Sequence, residues 1–364
     1  MKKALVGFIM DGKSGGIDKY LLNFLEKAKK EGEQIDFLTN EIDKELKAYL
    51  EKKGSKIYAI ANLKHPVKQY RQVCALIHEN KYDTVYLNIS TAIDCITAFA
   101  AKKCKVPRRM IHSHSSGNDI ENIVKRKIFD FLHRVGKIWL YKSGTHFFAC
   151  SRKAGMWLFP KKIVEGQAFQ VVFNAVDKKK FTFSEKIRSR VRKKMKLENK
   201  YVIGHVGNFC YQKNHEFLIR IGKELVQKDV EIVMLLIGQG VLFEKIKRQI
   251  EVAGFEDKIR LLGQRADVYE LMQAMDMFLL PSNFEGLPTV GVEAQMTGLP
   301  CVFSDDITDE VEITNKCHFL SLKEESVWCD EILRLKEQYK KRSSAVFLGE
   351  ENCYDISECS YPCI

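Results

Sequence analysis

The sequence predicts an α/β protein made of two doubly wound domains, and three observations support this. Short apolar runs recur along the 364 residues, and most are followed by stretches whose apolar side chains have helical spacing. A hydrophobic share of 45% over this length is enough for two cores. A charged stretch at 178–199 separates two series of such runs. We therefore expect domains at 1–173 and 174–345, followed by an atypical tail at 346–364.

The predicted strands fall into two series. The first opens with Ala4–Met10, a glycine-rich turn at Gly12–Gly16 and a helix from Ile17 to Lys30. Its other strands are predicted at Gln34–Leu38, Lys56–Ile60, Thr84–Leu87, Arg109–Ile111 and Thr145–Cys150. The second series is predicted at Val171–Phe173, Tyr201–Val206, Glu231–Ile237, Ile259–Leu262, Met277–Leu280 and Cys301–Phe303. Ligands of doubly wound sheets bind beyond the carboxyl ends of strands, so the loops after strands are where a site is expected.

Composition excludes several classes of protein. No run of about 20 apolar residues exists, and the amino-terminal segment lacks a small-residue cleavage site, so we expect a cytoplasmic protein. The 11 cysteines include no C-x-x-C pair, which favours reduced thiols over disulfides or a zinc site. We predict no bound metal and no cofactor.

Positive charge is concentrated in the first half of the chain. Residues 1–165 hold 31 basic and 17 acidic side chains, and within them 101–165 hold 15 basic and 4 acidic. The stretch 124–142 interleaves apolar with basic residues and is typical of a basic amphipathic helix. A helix packed on its own domain and a helix at an anionic membrane surface both remain open. Motifs typical of nucleic-acid binding are missing, so we expect no nucleic-acid partner.

The most informative segment is 281–300, which carries Glu285 and Glu293 with seven residues between them. A strand, a loop and then a helix are predicted here, with Pro288 in the first helical turn. The backbone amides beside it are those expected to meet an anion: Gly286, Leu287, Thr289 and Val290. Glu293 can hold the two hydroxyls of a ribose, and Glu285 can accept hydrogen bonds from a sugar. The segment therefore predicts a nucleotide-sugar site.

Two further glycine-containing loops follow predicted strands. The run Gly7–Ser14 satisfies the G-x-x-x-x-G-K-[ST] pattern of NTPases, but apolar residues continue the strand past Gly7, so we reject that function. We interpret Gly15 and Gly16 instead as a tight turn whose amides approach a diphosphate or an acceptor. Lys213 opens a predicted helix beside Gly207, where a cation can neutralise a leaving diphosphate.

The segment 281–300 also carries a family signature, E-x7-E preceded by PS and followed by A-x-x-x-G-x-P. Its residues are Pro281, Ser282, Glu285, Glu293, Ala294, Gly298 and Pro300. On these residues the chain resembles the retaining glycosyltransferases of family four, and the resemblance extends over about residues 4–345. It implies the GT-B fold, in which two Rossmann-like domains face a central cleft, and a metal-independent transfer that retains anomeric configuration.

The resemblance also implies roles for residues in other loops. His112-Ser113-His114-Ser115 looks like the family's HSHN segment, which would bring His114 to the transferred sugar. In the segment from 205 to 215, Lys213 matches a diphosphate clamp, whereas Asn208 stands where an arginine is usual. Gln264 and Arg265 are implied to contact the nucleobase.

Three further segments can be compared with the family pattern, and two of them depart from it. Asp18 replaces the glutamate of the family's GG-x-E turn, and Asn174 and Asp177 match the family's crossover between domains. The tail lacks the family's returning helix, which suggests a truncated crossover helix and a looser closed state.

We therefore expect a transferase that moves a sugar, with UDP as the expected nucleotide, to a lipid-linked oligosaccharide in surface polysaccharide assembly. Such an enzyme would sit peripherally on the inner face of the membrane, attracted through its basic first half. A nucleotide-sugar epimerase or phosphorylase on the same architecture remains open as an alternative. So does a catalytically weak partner of another glycosyltransferase.

Overall fold

The structure, a computed structural model, describes residues 2–12, 15–349 and 351–363. The chain forms two compact units: the first comprises Met1–Ala175 with Cys359–Ile364, and the second comprises Val176–Glu358. Each unit contains one parallel sheet with helices between most successive strands, which is the doubly wound α/β architecture that the sequence predicts.

The first unit has a seven-stranded sheet in the order β3-β2-β1-β4-β5-β6-β7. Its strands are β1 (Lys3–Gly7), β2 (Gln34–Thr39), β3 (Ile57–Ala59), β4 (Thr84–Ile89), β5 (Arg108–Ser113), β6 (His146–Ala149) and β7 (Phe169–Val171). Its helices are α1 (Gly16–Lys30), α2 (Lys44–Lys52), α3 (Pro66–Asn80), α4 (Ile96–Lys103), α5 (Ile123–Ser143), α6 (Arg152–Leu158) and α7 (Lys161–Val164). The central strands are buried on both faces, as a parallel sheet covered by helices requires.

The second unit has a six-stranded sheet in the order β10-β9-β8-β11-β12-β13. Its strands are β8 (Tyr201–Val206), β9 (Ile232–Ile237), β10 (Ile259–Gly263), β11 (Met277–Leu280), β12 (Cys301–Ser304) and β13 (Cys317–Leu320). Its helices are α8 (Lys178–Phe181), α9 (Glu185–Met195), α10 (His215–Lys228), α11 (Phe243–Ala253), α12 (Val268–Ala274), α13 (Thr289–Met296) and α14 (Glu325–Gln338). Trp328 of α14 is fully buried in the core of this unit and packs against Phe217 of α10.

Three strand predictions need correction. β7 pairs with β6, so it is the last strand of the first sheet and not the first strand of the second. β13 pairs with β12 and was missed, because this short edge strand is only half-buried and His318 interrupts its apolar pattern. β1 ends at Gly7, although the sequence predicts a strand as far as Met10.

The end of the chain contains a 3-10 turn at Glu351–Tyr354, and no α-helix follows α14 in the part of the chain that is described. Tyr354 is buried within the second unit, where its hydroxyl donates to the carbonyl of Glu310. Tyr361 belongs to the first unit and lies against Tyr20 of α1, with ring centroids 5.3 Å apart.

Candidate functional site

Four loops lie together at the carboxyl edge of the second sheet, because β10, β9, β8 and β11 are neighbours in it. Backbone hydrogen bonds join adjacent loops: Phe209 N donates to Gln239 O at 2.9 Å, and Gly238 N donates to Gly263 O at 2.9 Å. Asn283 N donates to Gln212 O at 2.8 Å. These loops carry most of the residues that the sequence predicts to bind a donor, at the edge where ligands of such sheets bind.

Glu285 is the centre of a buried polar cluster between two of these loops. Its side chain is buried, with 5% of the residue exposed. Lys213 Nζ lies 2.6 Å from one carboxylate oxygen, and Ser282 Oγ donates to the same oxygen at 2.7 Å. Gln212 Nε2 donates to the other oxygen at 2.9 Å. The structure therefore brings together two predicted site residues, Glu285 and Lys213, that are 72 positions apart in the chain.

Lys213 is held in place by the local backbone. It ends a 3-10 turn at Tyr211–Lys213, and Asn214 then adopts a left-handed conformation, with φ +53°, before α10 begins. A methyl group added at Gly207 would lie 3.0 Å from the methylene groups of Lys213, so the glycine leaves room for this side chain. The sequence predicts that Lys213 opens a helix, whereas α10 begins two residues later, at His215, and Lys213 ends the preceding turn.

Helix α13 begins at Thr289, directly after Pro288, so its first turn contains two of the predicted anion-binding amides, those of Thr289 and Val290. Gly286 and Leu287 are buried in the preceding loop, and Thr289 and Val290 are half-buried. Glu293 lies one turn into the helix and is buried. Gln295 anchors the helix from its other side, because its side-chain oxygen accepts from Ile313 N at 2.8 Å and Thr314 N at 3.0 Å.

The other donor residues predicted in this unit are exposed. Asn208 follows β8, and Gln264 and Arg265 follow β10, all at the same edge of the sheet. The guanidinium of Arg265 forms two hydrogen bonds with the carboxylate of Asp267, at 2.7 and 2.6 Å. This pairing raises the pKa of Arg265 and lowers that of Asp267. Contact between these residues and a nucleobase remains a prediction.

In the first unit, the turn before α1 is organised by Asp18. Its buried carboxylate accepts backbone hydrogen bonds from Met10 at 3.0 Å, Asp11 at 2.9 Å and Gly12 at 2.7 Å. Burial raises the pKa of Asp18, and the hydrogen bonds from these amides oppose that rise. Gly15 precedes the helix with φ +104°, a conformation that favours glycine, and Gly16 begins the helix.

This arrangement gives a better reason to reject a phosphate-binding NTPase loop than the one drawn from the sequence. The strand does end at Gly7, so the expected continuation through Met10 was wrong. The amides of Met10, Asp11 and Gly12 instead donate to a carboxylate, which occupies the donors that a phosphate would need. Lys13 and Ser14 of the motif lie outside the described residues.

His112 and His114 lie at the carboxyl end of β5, with ring centroids 4.1 Å apart. His112 is buried inside the strand, and its Nδ1 is 2.6 Å from the hydroxyl of Tyr86. His114 Nε2 is 2.9 Å from Asn88 Oδ1, which can only accept, so this nitrogen carries the proton. Burial lowers the pKa of His114 to about 3, and the imidazole is therefore neutral near pH 7.

Two residues that donate hydrogen bonds to Glu285 were not identified from the sequence. Ser282 and Gln212 were noticed only as parts of motifs, although both donate to Glu285. The capping role of Asp18 was also missed, because its side chain reaches six to eight residues back along the chain. Polar residues in the loops that follow buried strands were the signal that could have identified Ser282 and Gln212.

Two comparisons with known sequences bear on this site. Residues 187–344 match the family model of "Glycosyl transferases group 1", a range that includes every predicted site residue of the second unit. The chain is 29% identical over 333 residues to the Bacillus subtilis protein named "Putative glycosyltransferase EpsF", covering 88% of this chain and 84% of EpsF. It is 27% identical over 259 residues to the Escherichia coli UDP-Gal:alpha-D-GlcNAc-diphosphoundecaprenol alpha-1,3-galactosyltransferase, covering 68% of this chain and 63% of that enzyme.

Among solved structures, HepE of Anabaena in complex with UDP and glucose superposes with a TM-score of 0.76. The match covers 98% of this chain and 96% of HepE at 20% sequence identity, a level that shows a shared fold. Both sheets of the present chain are of the Rossmann-like type found in GT-B enzymes. The family match, the similarity to EpsF and the shared fold identify the chain as a glycosyltransferase with the GT-B fold.

Proposed function

We propose that the enzyme transfers a sugar from a UDP-sugar to a lipid-linked saccharide during surface polysaccharide assembly, with retention of anomeric configuration. The observation that carries this proposal is the buried Glu285–Lys213 pair beside the first turn of α13. Two relatives add support: HepE was solved with UDP and glucose, and the Escherichia coli relative is named for a UDP-Gal donor and a diphosphoundecaprenol acceptor.

The second unit is proposed to bind the donor. Lys213 Nζ has three N–H groups, so it can contact Glu285 and still donate to the diphosphate. The amides of Gly286, Leu287, Thr289 and Val290 would add hydrogen bonds and the positive end of the α13 dipole. In this proposal Glu293 holds the ribose hydroxyls. Charge on the leaving diphosphate is then balanced by protein groups, without a metal ion.

The rest of the donor assignment is proposed on position alone. Asn208, Gln264 and Arg265 lie at the same carboxyl edge and would contact the nucleotide. Gly15 and Gly16 are proposed to bring backbone close to a diphosphate or to the acceptor.

In the transfer itself, the bond from the anomeric carbon to the diphosphate oxygen breaks, and a bond to the acceptor oxygen forms. The acceptor proton passes to the leaving diphosphate, so UDP is released and charge balances. We propose that Glu285 and His114 orient the transferred sugar. Because Nε2 of His114 donates to Asn88, its Nδ1 offers a lone pair that can accept from a sugar hydroxyl.

We also propose that the enzyme works peripherally on the inner face of the membrane. A lipid-linked acceptor would be embedded there, and the excess of basic residues in 1–165 suits an anionic bilayer. Among the residues that the structure describes, no helix is both long and apolar enough to cross a membrane.

Transfer can be tested with radiolabelled UDP-sugars and a lipid extract. The proposal predicts labelled lipid, and isomerised free nucleotide-sugar in the absence of acceptor would contradict it. Glu293→Ala should abolish turnover and remove thermal stabilisation by UDP, because the ribose contact is lost. Glu251→Ala, on the exposed face of α11, is a matched control that should change neither. Stabilisation by GDP alone would overturn the assignment of UDP.

A further inference from the structure

The inner face of α5 fixes how this helix sits on the first unit. His133 Nδ1 accepts from the backbone N–H of Ala92 at 3.1 Å, and its Nε2 donates to the carbonyl of Trp157 at 2.9 Å. A methyl group added at Gly136 would lie 2.2 Å from the carbonyl oxygen of Ala92, so the two backbones are in close contact. Leu140 is buried on the same face. The opposite face of α5 must therefore point away from the unit.

That opposite face is apolar. Side chains recur along it at intervals of three and four residues, which places them in one stripe on the helix. The outer stripe of α5 consists of Val124, Ile128, Phe131, Leu132, Val135, Ile138 and Trp139, each between 41 and 68% exposed. Isolated exposed apolar residues are ordinary, but a contiguous stripe of this size indicates a surface that binds something.

Basic side chains border the outer stripe. By the helical period, Lys127 and Arg134 lie along one edge and Lys125 along the other. The whole helix carries six Lys and Arg residues and one acidic residue, Asp130. A second copy of this helix would bring like charges together, whereas a surface of anionic lipid headgroups would pair with them.

We infer that the outer stripe of α5 is a docking face for an anionic lipid bilayer, with the helix lying along the surface. The apolar side chains would enter the boundary between headgroups and acyl chains, while the flanking Lys and Arg side chains reach the lipid phosphates. This inference rests on the proposed function, in which the acceptor is linked to a lipid. An enzyme docked in this way would meet such an acceptor within the plane of the membrane.

Sedimentation of the full chain with vesicles tests the docking face. We expect binding to phosphatidylcholine vesicles that contain about 30% phosphatidylglycerol, and binding at least about tenfold weaker to phosphatidylcholine alone. Phe131→Ser with Val135→Ser should weaken binding to the anionic vesicles at least about tenfold, because two apolar side chains that would enter the bilayer are lost. The matched control is Val241→Ser with Val252→Ser, two highly exposed valines of the second unit, which should bind like the wild type.

A second pair of variants tests whether vesicle binding requires the basic residues beside the outer stripe. Lys127→Gln with Arg134→Gln should weaken binding to anionic vesicles about tenfold or more. Lys193→Gln with Lys194→Gln removes the same charge from exposed positions of α9 and should have a much smaller effect. Equal binding to neutral and anionic vesicles would overturn the inference.

Trp139 reports the location of the stripe directly. Vesicles with brominated acyl chains should quench its fluorescence, and Trp139→Phe should remove that quenching. If the wild type instead forms a dimer that the Phe131→Ser, Val135→Ser variant dissociates, and neither binds vesicles, the occupant is a second copy and the inference is wrong.

Failure of the inference can be separated from failure of the proposed function. Thermal stabilisation by UDP should be the same in the wild type and in the Phe131→Ser, Val135→Ser variant, since Lys213 and Glu293 lie in the other unit and no proposed donor residue lies on α5. This variant should lose transfer to an acceptor embedded in vesicles but keep transfer to the same acceptor in detergent. A wild type that binds vesicles and transfers sugar in neither condition would contradict the proposed function alone.

Discussion

At the scale of single residues, the Lys213–Glu285 pair is the charged centre of the donor loops. Lys213→Met removes the cation that lies 2.6 Å from the buried carboxylate of Glu285, which keeps its hydrogen bonds from Ser282 and Gln212. Because removing one partner of a buried ion pair is costly, we expect Lys213→Met to lower the free energy of unfolding by about 3–5 kcal/mol. Urea unfolding measures this loss, and UDP should no longer stabilise the variant.

The matched control is Lys245→Met, which breaks an ion pair of the same 2.6 Å length with Glu216 on the exposed surface of the second unit. Exposed pairs contribute little, so we expect a loss below about 1 kcal/mol. Adding Glu285→Gln to Lys213→Met should recover much of the stability but none of the UDP binding. If the double variant is as unstable as Lys213→Met alone, the buried charge is not the cause.

At the scale of elements, Asp18 joins the start of α1 to the end of β1. Its carboxylate accepts from three successive backbone amides, those of Met10, Asp11 and Gly12. In Asp18→Asn, one oxygen becomes an NH₂ group that faces N–H donors, so we expect a loss of about 1–3 kcal/mol in the free energy of unfolding. Amide hydrogen exchange at residues 10–12 should become faster.

The control for this prediction is Asp43→Asn. Asp43 caps α2 by accepting from Leu46 N at 2.7 Å, and asparagine caps helices about equally well. This variant should therefore unfold within about 0.5 kcal/mol of the wild type. Equal losses in both variants would mean that Asp18 is an ordinary helix cap.

Most elements could be predicted from the sequence because their signals are local. β9 and β11 are continuous apolar runs that the parallel sheet buries on both faces. β7 and β13 were misassigned or missed, since three or four residues at the edge of a sheet leave little periodicity to detect.

The candidate site was predictable only in part, because only some of its contacts join residues that are near in sequence. Glu293 and Pro288 belong to one strand–loop–helix segment, so their spacing alone indicated a site. The contact between Lys213 and Glu285 joins residues 72 positions apart and depends on β8 and β11 being neighbours in the sheet. Chain order does not specify that pairing, because β9 and β10 lie between them in sequence.

At the scale of the whole molecule, each unit contains a closely packed pair of neutral histidines, His112 with His114 and His205 with His215. Burial lowers the pKa of His114 and of His205 to about 3, lowers that of His215 to about 2, and lowers that of His112 as well. The unfolded chain takes up these protons below about pH 6.5, while the folded chain does not. Stability is therefore present above pH 6.5 and falls on acidification, by roughly 1.4 kcal/mol per pH unit for each histidine.

Two buried carboxyl groups have the opposite effect, because they increase the stability of the folded state as the pH falls. Burial raises the pKa of Asp94 to about 6 and raises that of Asp18, so the folded state takes up these protons first and gains stability as the pH falls. The four histidines outnumber the two carboxyl groups, so we expect a net loss of stability on acidification. Urea unfolding between pH 8 and pH 5 should show it.

His215→Phe isolates one contribution to this pH dependence. The His215 ring stacks on Phe209 with centroids 3.8 Å apart, and neither of its nitrogens has a hydrogen-bond partner among the described residues. Phenylalanine keeps the ring contact and removes the titrating group. We expect little change at pH 8 and a pH slope smaller by about one proton between pH 6.5 and pH 5. An unchanged slope would show that His215 is protonated in the folded protein, which would require a structure that gives its nitrogens access to water.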